Sequence, residues 1–222
     1  MKHLPNLLTA LRLVLSLFVF FALVFAAQVR GPDLDLPLVL ARWAFAAFVV
    51  AAVTDFFDGW LARRFHVVSV SGAILDPIAD KVLICAAILG LMTIDTALAF
   101  VIPAALILFR EFSVSALREV TAARGVKLPV TLLAKWKTTL QLVALGADMV
   151  VATWPAFLGR PMDMVAFHEA AFLAHALIWL ACIVTLITGA QYGVQAWRAL
   201  SSHPSPLAGA GVGRSSTDDV SR

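Results

Sequence analysis

The sequence predicts an all-α membrane protein in which six helices cross a lipid bilayer. Hydrophobic residues make up 61% of the 222 residues, whereas charged residues make up only 14%. Soluble domains average roughly 45–50% apolar and about 25% charged residues, so the excess points to lipid as the surrounding solvent. The two cysteines, Cys85 and Cys182, lie inside apolar runs and are expected to fill space rather than to form a disulfide or a metal site.

Six apolar segments are long enough to span the hydrocarbon core, which takes about 20 residues of helix. A short interfacial helix is expected at the N-terminus, before the first of them. The link between the third and fourth segments is very short, which predicts that these two helices are antiparallel neighbours. The polar segments 28–37 and 156–164 are expected to be loops on one side of the membrane. The spans are expected at 7–27, 38–63, 72–93, 96–117, 136–154 and 167–197.

These spans are expected to form a single catalytic domain over residues 1–200, with no internal repeat. Residues 201–222 are rich in Ser, Gly, Pro and Ala and show no apolar periodicity. Such a composition cannot bury enough apolar surface to fold, so this tail is predicted to be disordered.

Basic residues are concentrated on one side of the predicted bundle, and positive charge in short loops marks the cytoplasmic side. That side and both termini are therefore expected to face the cytoplasm. The opposite side carries only Arg30, Arg42 and Arg160. The expected cytoplasmic set is Lys2, Arg12, Arg63, Arg64, Arg110, Arg118, Arg124, Lys127, Lys135, Lys137 and Arg198.

Four aspartates occupy one stripe on each of two consecutive predicted helices. Residues at offsets of 0, 3, 4 and 7 or of 0, 4 and 8 share one face of a helix. Because the loop between the two helices is short, the two stripes can face each other at the cytoplasmic end. The stripes consist of Asp55, Asp58, Gly59 and Ala62 on the second span and of Gly72, Asp76 and Asp80 on the third.

Four converging carboxylates need compensation, because like charges and burial both disfavour ionisation. A carboxylate inside a membrane costs at least about 2.5–3.5 kcal/mol on insertion scales. Asp76 alone could cap a helix N-terminus, but Asp55 and Asp58 lie near a helix C-terminus, where the helix dipole disfavours them. Two hard divalent cations with oxygen ligands, Mg²⁺ or Mn²⁺, would balance the four charges. Arg63 and Lys81 flank the site and can meet phosphate oxygens.

The spacing D-x2-D-G-x2-A-R-x8-G-x3-D-x3-D over residues 55–80 resembles the signature of the CDP-alcohol phosphotransferases. The resemblance implies a CDP-linked lipid donor, two metal ions and a location in the bacterial inner membrane, commonly as a homodimer. Asp80 would be a metal ligand and also the general base for the attacking hydroxyl. The implied metal ligands are Asp55, Asp58, Asp76 and Asp80, and the implied nucleotide and pyrophosphate pocket is Gly59, Ala62, Arg63 and Gly72.

A second set of motifs narrows the resemblance to the branch of the family that uses CDP-diacylglycerol and sn-glycerol 3-phosphate and releases CMP. These motifs are R-E-x6-R-E from residue 110, K-W-K-T-T-x-Q from residue 135 and L-P-N-L-L-T-x2-R from residue 4. Independently, an acceptor with a phosphate dianion needs cations near the metals. The expected acceptor-phosphate residues are Arg110, Arg118, Lys135 and Lys137.

Several alternatives stay open. Lys137 could belong to a plain positive-inside loop, and Asn6, Thr9 and Arg12 could bind nucleotide or simply sit at the interface. The same chemistry could serve another acceptor, as in cardiolipin synthases or in enzymes that use serine or inositol. A cation transporter is a further class, although its acidic site would be expected near the midplane. His175 is expected to be a packing residue, and no role is assigned to Asp148.

Overall fold

The computed structural model describes residues 4–29, 35–65, 70–125, 132–158 and 163–202, and these residues contain no strand. The all-helical fold class is therefore confirmed for the described part of the chain. Its helices are α1 Leu4–Gln28, α2 Asp35–Phe65, α3 Val70–Leu91, α4 Leu98–Ala123, α5 Leu132–Ala152, α6 Pro155–Leu158 and α7 Met164–Ser202.

The helix ends follow local chain chemistry. Pro5 and Pro37 lie in the first turns of α1 and α2, where a missing backbone N–H costs no intrahelical hydrogen bond. Helix α4 continues past the predicted end at residue 117 and stops before Gly125, whose φ of 75° lies in the left-handed region. Glycine adopts that conformation without steric cost, which is why it commonly ends helices.

The long helices pack in two groups. Helix α1 packs against α2 and α3, whereas α4 and α5 each pack against α7, and α3 also contacts α4 and α5. Gly90 on α3 allows α1 to approach closely, since a Cβ there would lie 2.8 Å from Leu23 Cδ1. The core that joins the groups is apolar and includes Leu23, Ile88, Phe100 and Met149.

Four helical segments in the described part of the chain are long and apolar enough to cross a membrane. Their outward faces carry large apolar side chains, and Phe21, Phe25, Phe172 and Leu173 are each more than half exposed. Lipid is the solvent in which such a surface is stable. The four segments are Leu7–Gln28, Asp35–Thr54, Leu98–Ala123 and Met164–Ser201.

Three expectations differ from the structure. The separate interfacial helix is wrong, because α1 runs unbroken from Leu4 and no Gly or Pro interrupts it after Pro5. The expected loop over 156–164 instead begins within α6, whose Ala156 carbonyl accepts a hydrogen bond from Arg42 Nε. Helix α7 reaches Ser202, two residues into the predicted tail, and residues 203–222 lie outside the described part of the chain.

Candidate active site

The structure places the two halves of the aspartate signature on consecutive helices. Asp55 and Asp58 lie in the last third of α2, and Asp76 and Asp80 lie in the first half of α3. The intervening residues 66–69 lie outside the described part of the chain, as do the side chains of all signature residues. Helices α2 and α3 contact each other. Gly59, Ala62 and Arg63 share α2 with the first pair, and Gly72 shares α3 with the second.

Helix α1 reaches the level of this signature. Two reversals of chain direction make α1 parallel to α3, and Leu23 on α1 lies against Gly90 on α3. Each helical residue rises by about 1.5 Å, so residues that precede this contact by the same number of positions lie at the same level. Thr9 on α1 and Asp76 on α3 precede it by equal numbers of residues, so they lie at the same level along the bundle axis. Thr9 and Arg12 are both buried, whereas the Asn6 side chain lies outside the described residues.

A buried ionic network joins α4, α5 and α7, and we call Arg110, Glu111, Lys137 and Gln141 the basic network. Its centre is Glu111 Oε1, which accepts hydrogen bonds from Arg110 Nη1 at 3.2 Å, from Gln141 Nε2 at 3.3 Å and from Lys137 Nζ. All four residues are less than 9% exposed. Two helices therefore direct their charged side chains to one shared carboxylate.

Helix α7 holds the basic network from the other side with hydroxyl groups. Arg110 Nη2 donates to Thr188 Oγ1 at 2.8 Å, and Gln141 Nε2 donates to Thr185 Oγ1 at 2.7 Å. Gly189 makes room for the Arg110 side chain, because a Cβ there would lie 2.8 Å from Arg110 Cγ and 2.9 Å from its Nε. The network is thus fixed in position by three helices.

The basic network carries more positive than negative charge. Within the described part of the chain, Glu111 is the carboxylate that pairs with both Arg110 and Lys137, so two buried cations share one negative charge. Among the described residues, Arg110 Nε and Gln141 Oε1 are buried without a hydrogen-bond partner. Buried charges are normally paired, so an anion would stabilise this excess of positive charge.

Arg118, another residue expected to bind the acceptor phosphate, lies outside this network. Arg118 is exposed, donates to Tyr192 Oη at 3.2 Å and stacks over the Tyr192 ring at 4.9 Å from its centroid. Tyr192 is one turn beyond Thr188, so Arg118 and Arg110 both anchor to the same face of α7. Lys135 lies on α5, but its side chain is outside the described residues.

An apolar groove of about 470 Å³ lies between α1, the signature helix α3, and α4. Lys81, the residue after Asp80, lines it on α3, and Ser115 lines it on α4. Ser115 Oγ donates to the Glu111 carbonyl at 2.7 Å, so the groove wall is one turn from the network. The lining residues are Leu17, Phe20, Ile78, Lys81, Val82, Cys85, Ala86, Leu89, Phe112 and Ser115.

A second polar cluster lies at the other end of α5 and α7, and we call Asp95, Asp148 and His175 the Asp–His cluster. His175 Nε2 lies 2.8 Å from Asp95 Oδ2 and 3.6 Å from Asp148 Oδ1. His175 is therefore more than the packing residue that the sequence suggested, although its ring does lie near Phe100. The contacts of His175 with Asp95 and Asp148 could not be predicted, because these partners are far away in the sequence.

Comparison with known proteins agrees with the spacing of the aspartates. The model of the family described as CDP-alcohol phosphatidyltransferase matches residues 2–187. The chain belongs to the CDP-alcohol phosphatidyltransferase family. It is accordingly a multi-pass membrane protein of a family that works with divalent metals.

Three relatives illustrate how much of the chain this similarity covers. A protein of Cereibacter sphaeroides is 37% identical over an alignment of 220 residues. That alignment covers 85% of this chain and 92% of the relative. One of Rickettsia felis is 38% identical over 192 residues, covering 86% and 93%. One of Bacillus subtilis is 31% identical over 206 residues, covering 91% and 99%. Each is named CDP-diacylglycerol–glycerol-3-phosphate 3-phosphatidyltransferase.

Sequence reasoning did not identify the α7 side of the site. Thr185, Thr188 and Tyr192 accept hydrogen bonds from polar residues of α4 and α5, but hydroxyl residues in an apolar helix carry no distinctive spacing. Gln141 was noted as part of the motif on α5, without a role. The presence of several polar residues in one long apolar helix would have pointed to these positions, since such residues usually face the bundle interior.

Proposed function

We propose that this protein transfers the phosphatidyl group of CDP-diacylglycerol to sn-glycerol 3-phosphate, giving phosphatidylglycerophosphate and CMP in phospholipid biosynthesis. The family and the names of the three relatives support the reaction class. The observation that carries the choice of acceptor is the buried excess of positive charge on Arg110 and Lys137. The phosphate group of this acceptor would pair with both cations, whereas inositol carries no charge and serine carries no net charge.

The donor is a lipid, and the apolar groove fits its acyl chains. The groove lies between α1, α3 and α4 and begins at Ile78 and Lys81, beside the signature. The nucleotide and diphosphate are assigned to the signature helices and to the start of α1. Small residues there would let a ligand approach the backbone. The assigned residues are Asn6, Thr9, Gly59, Ala62, Arg63 and Gly72.

Two Mg²⁺ or Mn²⁺ ions are assigned to Asp55, Asp58, Asp76 and Asp80. The donor set fits, because four carboxylates supply hard oxygen ligands and balance two divalent charges. When bound, such ions would neutralise the diphosphate and polarise the phosphorus that is attacked.

The protein residues would then orient the acceptor and move its proton. The acceptor hydroxyl oxygen forms a bond to the phosphorus of the phosphatidyl group, and the bond from that phosphorus to the CMP oxygen breaks. Asp80 accepts the hydroxyl proton, and CMP leaves with the bonding electrons. Arg110 and Lys137 hold the acceptor phosphate, together with Arg118 and Lys135. Charge-assisted hydrogen bonds of this kind fix orientation as well as affinity.

The proposal includes six membrane spans, with α3 and α5 joining the four apolar segments. Each has over 20 residues, which at 1.5 Å per residue is about 30 Å, the thickness of the hydrocarbon core. The active site and both termini would face the cytoplasm, because the basic residues lie at that end. We further propose a homodimer, which the mass of the purified protein in detergent would test.

The decisive experiment supplies purified protein with CDP-diacylglycerol and labelled acceptors in mixed micelles. We expect labelled phosphatidylglycerophosphate and one CMP per product with sn-glycerol 3-phosphate, lost on chelation and restored by Mg²⁺ or Mn²⁺. Asp80→Asn should lower the rate by about 10²- to 10⁴-fold, the usual contribution of a general base. Asp163→Asn, an exposed carboxylate distant from the signature, is the matched control.

Two results would contradict the proposal. Product formed only from serine, inositol or phosphatidylglycerol would mean that the acceptor is wrong. Metal-dependent cation uptake into vesicles, with no CMP release from CDP-diacylglycerol, would favour the transporter class instead.

A further inference from the structure

The Asp–His cluster is distinct from the signature in position and in composition. Asp95 lies in the link after α3, whereas the signature residue Asp76 lies near the start of that helix. The fifteen residue steps from Asp76 to Leu91 rise by about 22 Å, so the two sites are at opposite ends of α3. The cluster joins the α3–α4 link to α5 and α7, which places it among three separate parts of the chain.

The carboxylate of Asp148 is buried without adequate compensation. Its side chain is 2% exposed, and its Oδ2 has no hydrogen-bond partner among the described residues. Its Oδ1 lies 3.6 Å from His175 Nε2, beyond hydrogen-bond distance. A buried carboxylate in this state is costly unless another group neutralises it.

The neighbouring groups are oriented toward one point. Asp95 Oδ1 accepts a hydrogen bond from the Ala97 backbone N–H at 2.9 Å, which leaves Oδ2 directed at His175. One ligand atom from each of the three residues lies within 4.8 Å of the others. Ligand atoms around a tetrahedral zinc ion are about 3.3 Å apart, given bond lengths near 2.0–2.1 Å. The distances of 2.8 and 3.6 Å from the imidazole nitrogen lie on either side of that value.

One divalent ion would balance the charge of the cluster. Two carboxylates with a neutral imidazole carry two negative charges, and one divalent cation cancels both. A protonated imidazole would leave one negative charge in a buried place. One nitrogen and two oxygen ligands suit Zn²⁺ and its first-row neighbours, whereas Mg²⁺ prefers oxygen ligands alone.

We infer that Asp95, Asp148 and His175 form a second metal site, selective for Zn²⁺ or a similar first-row divalent ion, that ties the α3–α4 link to α5 and α7. The fourth ligand position would be filled by water, because Asp95 and His175 are partly exposed. Such an ion would add stability to this end of the bundle without taking part in the transfer reaction.

The test uses purified full-length protein that has been stripped with chelator and then saturated with Mg²⁺ to fill the signature. Titration with Co²⁺ should give the intense visible bands of a tetrahedral nitrogen–oxygen site, one ion per chain, displaced by Zn²⁺. Co²⁺ in the all-oxygen signature would be octahedral and pale, so the two sites are distinguishable. Asp148→Asn and His175→Gln should each weaken the tetrahedral site at least about tenfold. His168→Gln, an exposed histidine on the same helix, should leave it intact.

Thermal unfolding gives a second measurement that does not depend on the colour of Co²⁺. Zn²⁺ in the presence of Mg²⁺ should raise the midpoint of wild type and His168→Gln but not of Asp148→Asn. The inference is overturned if wild type shows no tetrahedral spectrum, or if Zn²⁺ raises the midpoint equally in Asp148→Asn. Either result would mean that the three residues form an ion-pair cluster only.

Discussion

Helices α5 and α7 carry a buried polar cluster near each end, and the two clusters differ in sign. In the basic network, two cations share one carboxylate, and three donors converge on Glu111 Oε1. In the Asp–His cluster, two carboxylates share one imidazole, and the buried Asp148 Oδ2 has no partner among the described atoms. The first cluster therefore suits an anion and the second suits a cation.

The difference shows how one helix pair can carry both a buried cluster that suits an anion and a buried cluster that suits a cation. A long apolar helix tolerates buried charge only where neighbouring helices supply partners. Thr185 and Thr188 on α7 supply hydroxyl acceptors to the basic network. At the other end, α7 supplies only His175 to two acids. The basic network thus has a central carboxylate and hydroxyl partners within the protein, whereas the two carboxylates of the Asp–His cluster share one imidazole.

The largest effect is expected from Glu111→Gln, which removes the carboxylate that the basic network shares. Arg110 and Lys137 would then be two buried cations without a counter-charge among the described residues. Breaking a buried pair in this way costs about 3–5 kcal/mol, so the free energy of unfolding should fall by that amount. Denaturant unfolding of the purified protein in micelles measures it. Glu119→Gln, which changes an exposed carboxylate on the same helix, is the control. Equal stability of the two variants would mean that Glu111 is not the counter-charge of Arg110 and Lys137.

A smaller effect is expected from Gly189→Ala, which moves one cation without removing any charge. The added methyl would lie 2.8 Å from Arg110 Cγ, so the arginine must shift away from Thr188. Overpacking of this kind costs about 1–3 kcal/mol. Under the proposed function, KM for sn-glycerol 3-phosphate should rise several-fold while KM for CDP-diacylglycerol stays unchanged.

Gly193→Ala is the matched control for that substitution. It lies one turn further along α7, and a Cβ there would meet nothing within 4 Å. Alanine is favoured over glycine in a helix by roughly 0.5–1 kcal/mol, so this variant should be slightly more stable and fully active. A rise in the acceptor KM of both variants would show that the effect is not transmitted through Arg110.

The smallest effect is expected from Asp148→Asn in protein that holds Mg²⁺ but no first-row metal. The substitution removes a buried charge whose Oδ2 has no hydrogen-bond partner among the described residues, so the free energy of unfolding should be unchanged or rise by about 1 kcal/mol. Activity should equal that of wild type. A loss of several kcal/mol under these conditions would mean that the carboxylate is already well compensated by His175, and it would weaken the contrast between the two clusters.

The sequence predicted the helices well because an apolar run is a property of neighbouring residues in the chain. Apolar runs of about 20 residues mark the spans, and each predicted span falls largely within one long helix of the structure. The errors occur at helix ends, as with α4 beyond residue 117 and the unbroken start of α1. Hydropathy alone does not report where a helix ends in the interfacial region, since that depends on single residues such as Gly125.

By itself, the sequence determined the family and the aspartate signature, because fixed residues at helical spacing identify a chemistry without any tertiary contact. It also suggested that Arg110 and Lys137 act together. Only the tertiary structure decided that Glu111 is their common partner and that Gly189 makes room for one of them. The same is true of the contact between His175 and Asp95, which are separated by 80 residues. Such partners are set by helix packing, and no local pattern in the chain encodes them.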